Sequence, residues 1–314
     1  MEVFHVRLTD DIIQKVPLLC PAKSFTQITK GFSLEEKWQV ITESGDILFL
    51  KIYDFARLDT AKSVYKYLEY FEQIGSLVPK PIQFIELPKD SICIQIVSSI
   101  NGVDGEESLH HFSSDTQYKL GYHAGKELKK LHSLSDPSSL QTWEDYKLNK
   151  HNRYLQLFSE STISFPEIND ILHFIDQHIH LLKDRPVRFL HDDFHPSNII
   201  FNEGELAAVI DFDRFEWGDP YHDFHKVALF TSEISKPFSI GQIDGYFSDN
   251  IPDEFWQYYT LYAAMIIPSD IIWSYKTTPH LIETMWKRVY RILEDHDNFK
   301  NIIPSWYVNK INHL

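Results

Sequence analysis

Three oxygen-bearing side chains stand at spacings that suit phosphoryl transfer. They are Asp193, Asn198 and Asp211, in the segments HDDFHPSN (191–198) and IDFD (210–213). Two carboxylates and an amide suit a hard cation such as Mg²⁺, which takes one or two carboxylates, keeps some waters and is completed by substrate phosphates. A carboxylate left over can align a hydroxyl and accept its proton. Phosphoryl transfer asks little more of a protein, because the work is positioning and charge neutralisation.

The flanking elements predict that these residues meet. Asn198–Phe201 and Leu206–Ile210 are apolar and strand-like, and Asn202-Glu203-Gly204-Glu205 is a hairpin link. In such a hairpin Asn198 lies opposite Val209, on the order of 5–8 Å from Asp211. Asp193 reaches the same end through the loop that feeds Asn198. Two other readings compete. Asp and Asn also gather in loops as Asx-turns. His191, Asp193, His195, Asp211 and Asp213 also read as a Zn²⁺ or Mn²⁺ hydrolase site, but Pro196 and the flanking strands deny them a helical ligand spacing. The composite pattern over 188–224 is far rarer than its parts, which favours the catalytic reading.

The surrounding chain predicts two regions. Strands are expected at Phe25–Ile28, Lys37–Thr42, Ile47–Ile52, Ile82–Glu86 and Ser91–Val97, with turns at 30–33 and 43–46. A helix over Leu58–Ile74 carries Val64, Tyr67, Leu68 and Phe71 on one face and stops at Gly75. Ser98–Gly105 is a polar connector. Apolar stripes then predict helices over Asp115–Leu134, Asn169–Leu182, Phe255–Met265 and Leu281–Leu293. The fold class is α+β: a small β-rich N-lobe over 1–97, a hinge over 98–105 and a larger, mainly helical C-lobe over 106–314. The C-lobe contains the catalytic and metal-binding hairpin, 188–224, and the acceptor-binding helices.

Composition narrows the partners. The 314 residues suggest about two domains. A hydrophobic share of 43% excludes general disorder. A net charge of −15 repels phosphate backbones, so no nucleic-acid partner is expected, and it attracts cations. Two cysteines, Cys20 and Cys93, form no disulfide framework. No signal peptide or apolar span is visible, so a cytoplasmic protein without membrane contact is expected, as a monomer or homodimer.

The motifs together resemble the aminoglycoside phosphotransferase / choline kinase-like family, small-molecule kinases with a bilobal protein-kinase-like fold. HDDFHPSN and IDFD resemble its catalytic and metal-binding segments. TKGFSLEEKW (29–38) resembles its nucleotide loop and FLKI (49–52) its third strand. VSSINGV (97–103) resembles its hinge, and GDPYHDF (218–224) its post-metal segment. The resemblance implies roles. Asp193 is the catalytic base or orients the acceptor hydroxyl, and Asn198 and Asp211 hold Mg²⁺. Lys51 meets the phosphates of ATP or GTP, and Gly31 and Ser33 cover them. Val97, Ser98 and Ile100 frame the adenine. His191 braces the loop, while Asp219 and Asp223 are structural. Lys51 also follows an apolar run, where a lysine is costly to bury unless it meets an anion.

Two positions depart from the family. No glutamate sits well on the helix after Lys51, leaving Glu72 or Glu69 as its partner. Asp192 replaces a usual glycine, and a second carboxylate there can raise the pKa of Asp193 or add a metal ligand. The expected acceptor is a small, amine-bearing molecule, first an aminoglycoside-like antibiotic, alternatively a choline-like, amino-alcohol or sugar metabolite. A nucleotide-binding pseudokinase is the non-enzymatic alternative. Asp253, Glu254 and Asp270 are candidate readers of an amine. Trp217 and the aromatic group Phe255, Trp256, Tyr258, Tyr259 and Tyr262 are expected mainly in the core.

Overall fold

The computed structural model describes residues 7–30, 35–135 and 141–310. The chain divides into two compact units, Met1–Asn101 with Ala207–Asp213, and Gly102–Leu206 with Arg214–Leu314. The expected ranges cut the chain in sequence order, whereas these units are discontinuous, because 207–213 returns to the first.

The first unit is built on one antiparallel sheet. Its strands are β1 (Ala22–Ile28), β2 (Glu36–Thr42), β3 (Ile47–Asp54), β4 (Pro81–Leu87) and β5 (Ile92–Ser98), in the order β1-β2-β3-β5-β4. Side chains alternate across a strand. Leu48, Leu50 and Ile52 of β3 and Ile92, Ile94 and Ile96 of β5 therefore share one face. They bury with Leu8 and with Ile12 of α1 (Asp10–Gln14). The opposite face holds Tyr53 and Cys93, packed with Ala61 and Leu58 of α2 (Leu58–Gln73). Lys51 alternates onto this second face, and β3 pairs it with Gln95 of β5. Helix α2 buries Ala61, Val64, Leu68 and Phe71, one stripe at helical spacing. It ends as expected at Gly75, whose φ of +72° suits a residue without Cβ. Segment 207–213 is tied into the unit by the Val209 N–H, which donates to Leu77 O at 2.8 Å, and by the Phe71 and Phe212 rings at 5.7 Å.

The second unit is mostly helical. Its short strands are β6 (Val103–Asp104), β7 (Arg188–Leu190), β8 (Ile199–Asn202), β9 (Glu205–Val209) and β10 (Glu216–Gly218), with the unit boundary inside β9. β6 pairs with β8 and β7 with β10. The turn after β8 puts Glu203 and Gly204 at φ 51° and 81°, the left-handed pair of a two-residue hairpin loop. The helices are α3 (Gly105–Ser108), α4 (Ser114–Leu131), α5 (Trp143–Ser159), α6 (Ile168–His178), α7 (Ser232–Ile234), α8 (Lys236–Phe247), α9 (Phe255–Thr277), α10 (Ile282–Asp295) and α11 (Ser305–Val308).

Two of these helices differ instructively from expectation. α9 runs through Pro268 to Thr277 rather than stopping near Met265, because burial of its continuous apolar run outweighs one missing backbone donor. α8 is buried all round, so it shows no amphipathic stripe to find. It crosses α4 backbone to backbone. A Cβ on Gly121 would stand 2.1 Å from Phe238 O, and one on Gly245 2.0 Å from Tyr122 O. No helix among the described residues is long and apolar enough to cross a membrane.

Candidate active site

In the first unit, β3 carries Lys51 into a buried polar knot. Its ammonium donates to Asp211 Oδ1 at 2.8 Å and also pairs with Asp213. The Tyr53 hydroxyl donates to Asp213 Oδ1 at 2.8 Å and contacts Gln95 Oε1 at 2.9 Å. Burial opposes the charge on Lys51, but Asp213 and Asp211 outweigh it and raise its pKa. Burial first, then Asp213, push the Tyr53 hydroxyl well above its ordinary value. Asp211 sits at φ 63°, a left-handed conformation uncommon for a residue with a side chain.

The partner of Lys51 is thus this pair of aspartates. Glu72 lies instead 3.9 Å from Lys80. Val97 is buried in β5, opposite Phe49 and Pro81. The Ser98 N–H donates to Lys80 O at 2.9 Å, and the Ser99 N–H to Ile47 O at 3.1 Å. Ile100 follows the end of β5. Gly31 and Ser33 lie outside the described residues.

In the second unit, the loop after β7 is shaped by Asp223. This fully buried carboxylate accepts from the His191 N–H at 2.9 Å and the Asp192 N–H at 2.8 Å, and it meets His132 Nε2 at 3.0 Å. Asp219 accepts from Arg185 at 2.7 and 3.0 Å and from the Tyr262 hydroxyl at 2.6 Å. These contacts hold the 191–193 turn, with Asp192 at φ 55°. The Asp193 N–H donates to His191 Nδ1 at 3.3 Å.

The Asp193 carboxylate faces Lys226 at 2.9 Å, His195 at 3.4 Å and Arg214 at 3.7 Å. Burial by itself would raise its pKa, but Lys226, His195 and Arg214 reverse that and hold it well below the usual carboxylate range. Asn198 turns its amide nitrogen inward, donating to Asp193 O at 2.9 Å and Oδ2 at 3.3 Å. That leaves its Oδ1, a hard oxygen donor of the kind Mg²⁺ takes.

Asp192 lies beside a second cluster. Its Oδ1 is 3.3 Å from His222 Nδ1, and Lys150 is 3.9 Å from its Oδ2. Lys150 binds Glu216 at 2.5 Å, and Glu216 also accepts from the Tyr146 hydroxyl at 2.7 Å. The buried Lys147 amine meets His222 Nε2 at 2.6 Å; burial, then the nearby Lys150 charge, lower its pKa to about 7. Burial likewise holds His222 and His225 well below the ordinary imidazole value.

Of the candidate amine readers, Asp253 and Glu254 are exposed and Asp270 is buried. Asp270 accepts from Arg288 at 2.9 and 3.0 Å. Tyr262 and Phe255 are core residues, and Tyr258 stacks under Arg185 at 3.8 Å. Lys226 is the residue that the motifs do not reveal. A lysine beside the apolar run Val227–Phe230 was the available signal, the same one that marks Lys51.

Residues 24–258 match the sequence model of the phosphotransferase enzyme family. The chain belongs to that family. It is an enzyme of the small-molecule kinase type. No curated protein matches it significantly in sequence.

Solved structures share the phosphotransferase's fold. The gentamicin complex of APH(2")-IIa matches at 18% identity over 91% of this chain and 97% of that one, with a TM-score of 0.63. The GDP complex of wild-type aminoglycoside 2'-phosphotransferase-IIIa matches at 13% over 90% and 95%, with 0.67. The amicoumacin kinase hAmiN with AMP-PNP, Ca²⁺ and Ami matches at 15% over 96% and 98%, with 0.62. The common plan is a β-rich N-terminal region followed by a mostly helical C-terminal one.

Proposed function

We propose that this phosphotransferase moves the γ-phosphate of ATP or GTP to a hydroxyl of a small, amine-bearing acceptor. An aminoglycoside-like antibiotic is the first choice, and a choline-like, amino-alcohol or sugar metabolite the second. The observation that carries the reading is the Asp193–Asn198 pair, which brings an ionised carboxylate and an amide together in one loop. The net charge of −15 and the antibiotic complexes among the structural neighbours support a cationic acceptor.

Each residue has a role in this reading. Asn198 and Asp211 hold Mg²⁺, which supplies charge neutralisation at the phosphates. Asp193 binds the acceptor hydroxyl. Its lowered pKa makes it a weak base, so it acts first by orientation and takes the proton late, as a loose transition state allows. Lys226 balances its charge. Lys51, held by Asp211 and Asp213, engages the nucleotide phosphates. Gly31 and Ser33 cover the phosphates. Val97 backs the adenine, whose edge meets the backbone groups at Ser98–Ile100. The protein works in the cytoplasm, as a monomer or homodimer.

A pseudokinase is disfavoured because Lys51, Asp193, Asn198 and Asp211 are all present. The test is a thermal-shift titration with Mg·ATP, Mg·GTP and Mg²⁺ alone on wild type and Asp211→Ala, followed by turnover with amine-bearing acceptors on wild type and Asp193→Asn. A metal-dependent nucleotide shift that Asp211→Ala weakens is expected, with phosphotransfer reduced about 100- to 10,000-fold by Asp193→Asn. Tight nucleotide binding without transfer to any acceptor selects the pseudokinase, and full activity in Asp193→Asn overturns the mechanism.

A further inference from the structure

Behind the Asp193 loop lies a cluster that phosphoryl transfer does not use. Asp192, His222 and His225 each offer a ligand atom, all within 4.8 Å of one another. Both imidazoles are buried, His222 being 2% and His225 1% exposed. His222 Nδ1 and Asp192 Oδ1 face each other at 3.3 Å, yet both are buried without a hydrogen-bond partner. Buried polar atoms are normally satisfied, so two facing orphans ask what would satisfy them.

The orientation of each ring is fixed by its other nitrogen. His225 Nδ1 donates to His222 O at 2.6 Å, which leaves its lone pair on Nε2. His222 Nε2 is engaged by the Lys147 amine at 2.6 Å, which leaves Nδ1 as the atom facing Asp192. The backbone carbonyl at Nδ1 of His225 is the kind of partner that orients an imidazole around a metal, while an ion on His222 Nδ1 places the ring proton on Nε2, where the Lys147 amine accepts it uncharged. Asp192 is equally constrained, because its N–H is held by Asp223 Oδ1 at 2.8 Å. Three lysines surround the cluster: Lys147, Lys150, which is 3.9 Å from Asp192 and bound to Glu216, and Lys226, bound to Asp193.

We propose that Asp192, His222 and His225 form a binding site for a borderline transition-metal dication, Zn²⁺ above all, separate from the Mg²⁺ of catalysis. Two imidazoles and a carboxylate are a three-ligand zinc set, with the fourth position left to water. Mg²⁺ prefers all-oxygen donors and is excluded by the same chemistry. Asp192 is the least buried of the three, its side chain 15% exposed. The bound ion cross-links the turn carrying Asp193 to the segment 222–225, and so stiffens the loop.

The test uses the full chain, stripped by a chelator and returned to metal-free buffer without nucleotide. Zn²⁺ is titrated against a chromophoric chelator, and Co²⁺ is followed by its visible absorption. One equivalent is expected, with a four-coordinate Co²⁺ spectrum and a rise in melting temperature that excess chelator reverses. Asp192→Asn and His225→Gln each weaken binding about tenfold or more, Asp211→Ala binds as wild type, and excess Mg²⁺ does not compete. Circular dichroism checks that each variant is folded, and the half-buried Asp192 tolerates its change even where His225→Gln does not. Absence of stoichiometric binding, or binding that neither ligand substitution weakens, overturns the proposal. Failure of the kinase reading shows separately, as loss of the nucleotide shift with zinc binding intact.

Discussion

Lys226 Nζ lies 2.9 Å from Asp193 Oδ1, and both side chains are largely buried. Lys226→Met leaves the carboxylate with His195 and the more exposed Arg214. The Asp193 pKa is lowered in the fold, so its stabilising contribution is present at neutral pH and is lost as pH falls through the folded value. Removing Lys226 moves that value up. The acid limb of the rate profile is expected to shift to higher pH, with stability down by about 1–3 kcal/mol. A pH–rate profile and a urea melt check this.

Lys51→Met removes the cation from the buried Asp213 and from Asp211, whose side chain is 32% exposed. Breaking a buried pair from one side costs about 3–5 kcal/mol. The raised pKa of Lys51 means its contribution is full below the unfolded-state value of about 10.4 and is lost only as pH rises through the higher folded one. The variant is therefore expected to unfold more readily at neutral pH and to lose most of its nucleotide-dependent thermal shift. Differential scanning fluorimetry with and without Mg·ATP reads both effects.

Acid stability follows from buried histidines. Burial, then the Lys147 charge for His151, lowers His151 to about 4; burial lowers His296 to about 4. Each stays neutral in the fold while the unfolded chain takes up a proton below about 6.5, so stability falls as pH drops from about 6.5 to 4, by about 3 kcal/mol each. Asp295, pushed up to about 6 by burial, works the other way and offsets part of this. Melting temperatures across that range should fall towards acid, with a shallower slope in His296→Gln.

The α4–α8 contact leaves no room for a methyl group. Gly245→Ala drives a Cβ to 2.0 Å from Tyr122 O, and Gly121→Ala one to 2.1 Å from Phe238 O. Backbone cannot give way as a flexible side chain can, so each is expected to cost at least about 1–3 kcal/mol. Gly75→Ala, in open space at φ +72°, should cost about 1 kcal/mol. Chemical denaturation of the three variants ranks them.

Periodicity and turn residues alone determined much of this protein. The five N-terminal strands, α2 with its stop at Gly75, α4, α10 and the turn after β8 follow from alternation, apolar stripes and glycine, because those signals are local. The family was equally legible, since HDDFHPSN and IDFD are short and their order is fixed by the chain. Tertiary structure decided the rest. Lys51 chose Asp211 and Asp213, 160 and 162 positions away, over Glu69 and Glu72 on the helix that follows it. Lys226 came to Asp193 from a segment with no motif of its own, and Asp192 came to face His222. α8 could not be read because a helix buried on every side has no polar face to set its period. Spacing fixes which residues share an element. Which charges meet depends on what is buried together, because an ionised group removed from water must find its partner wherever the fold supplies one.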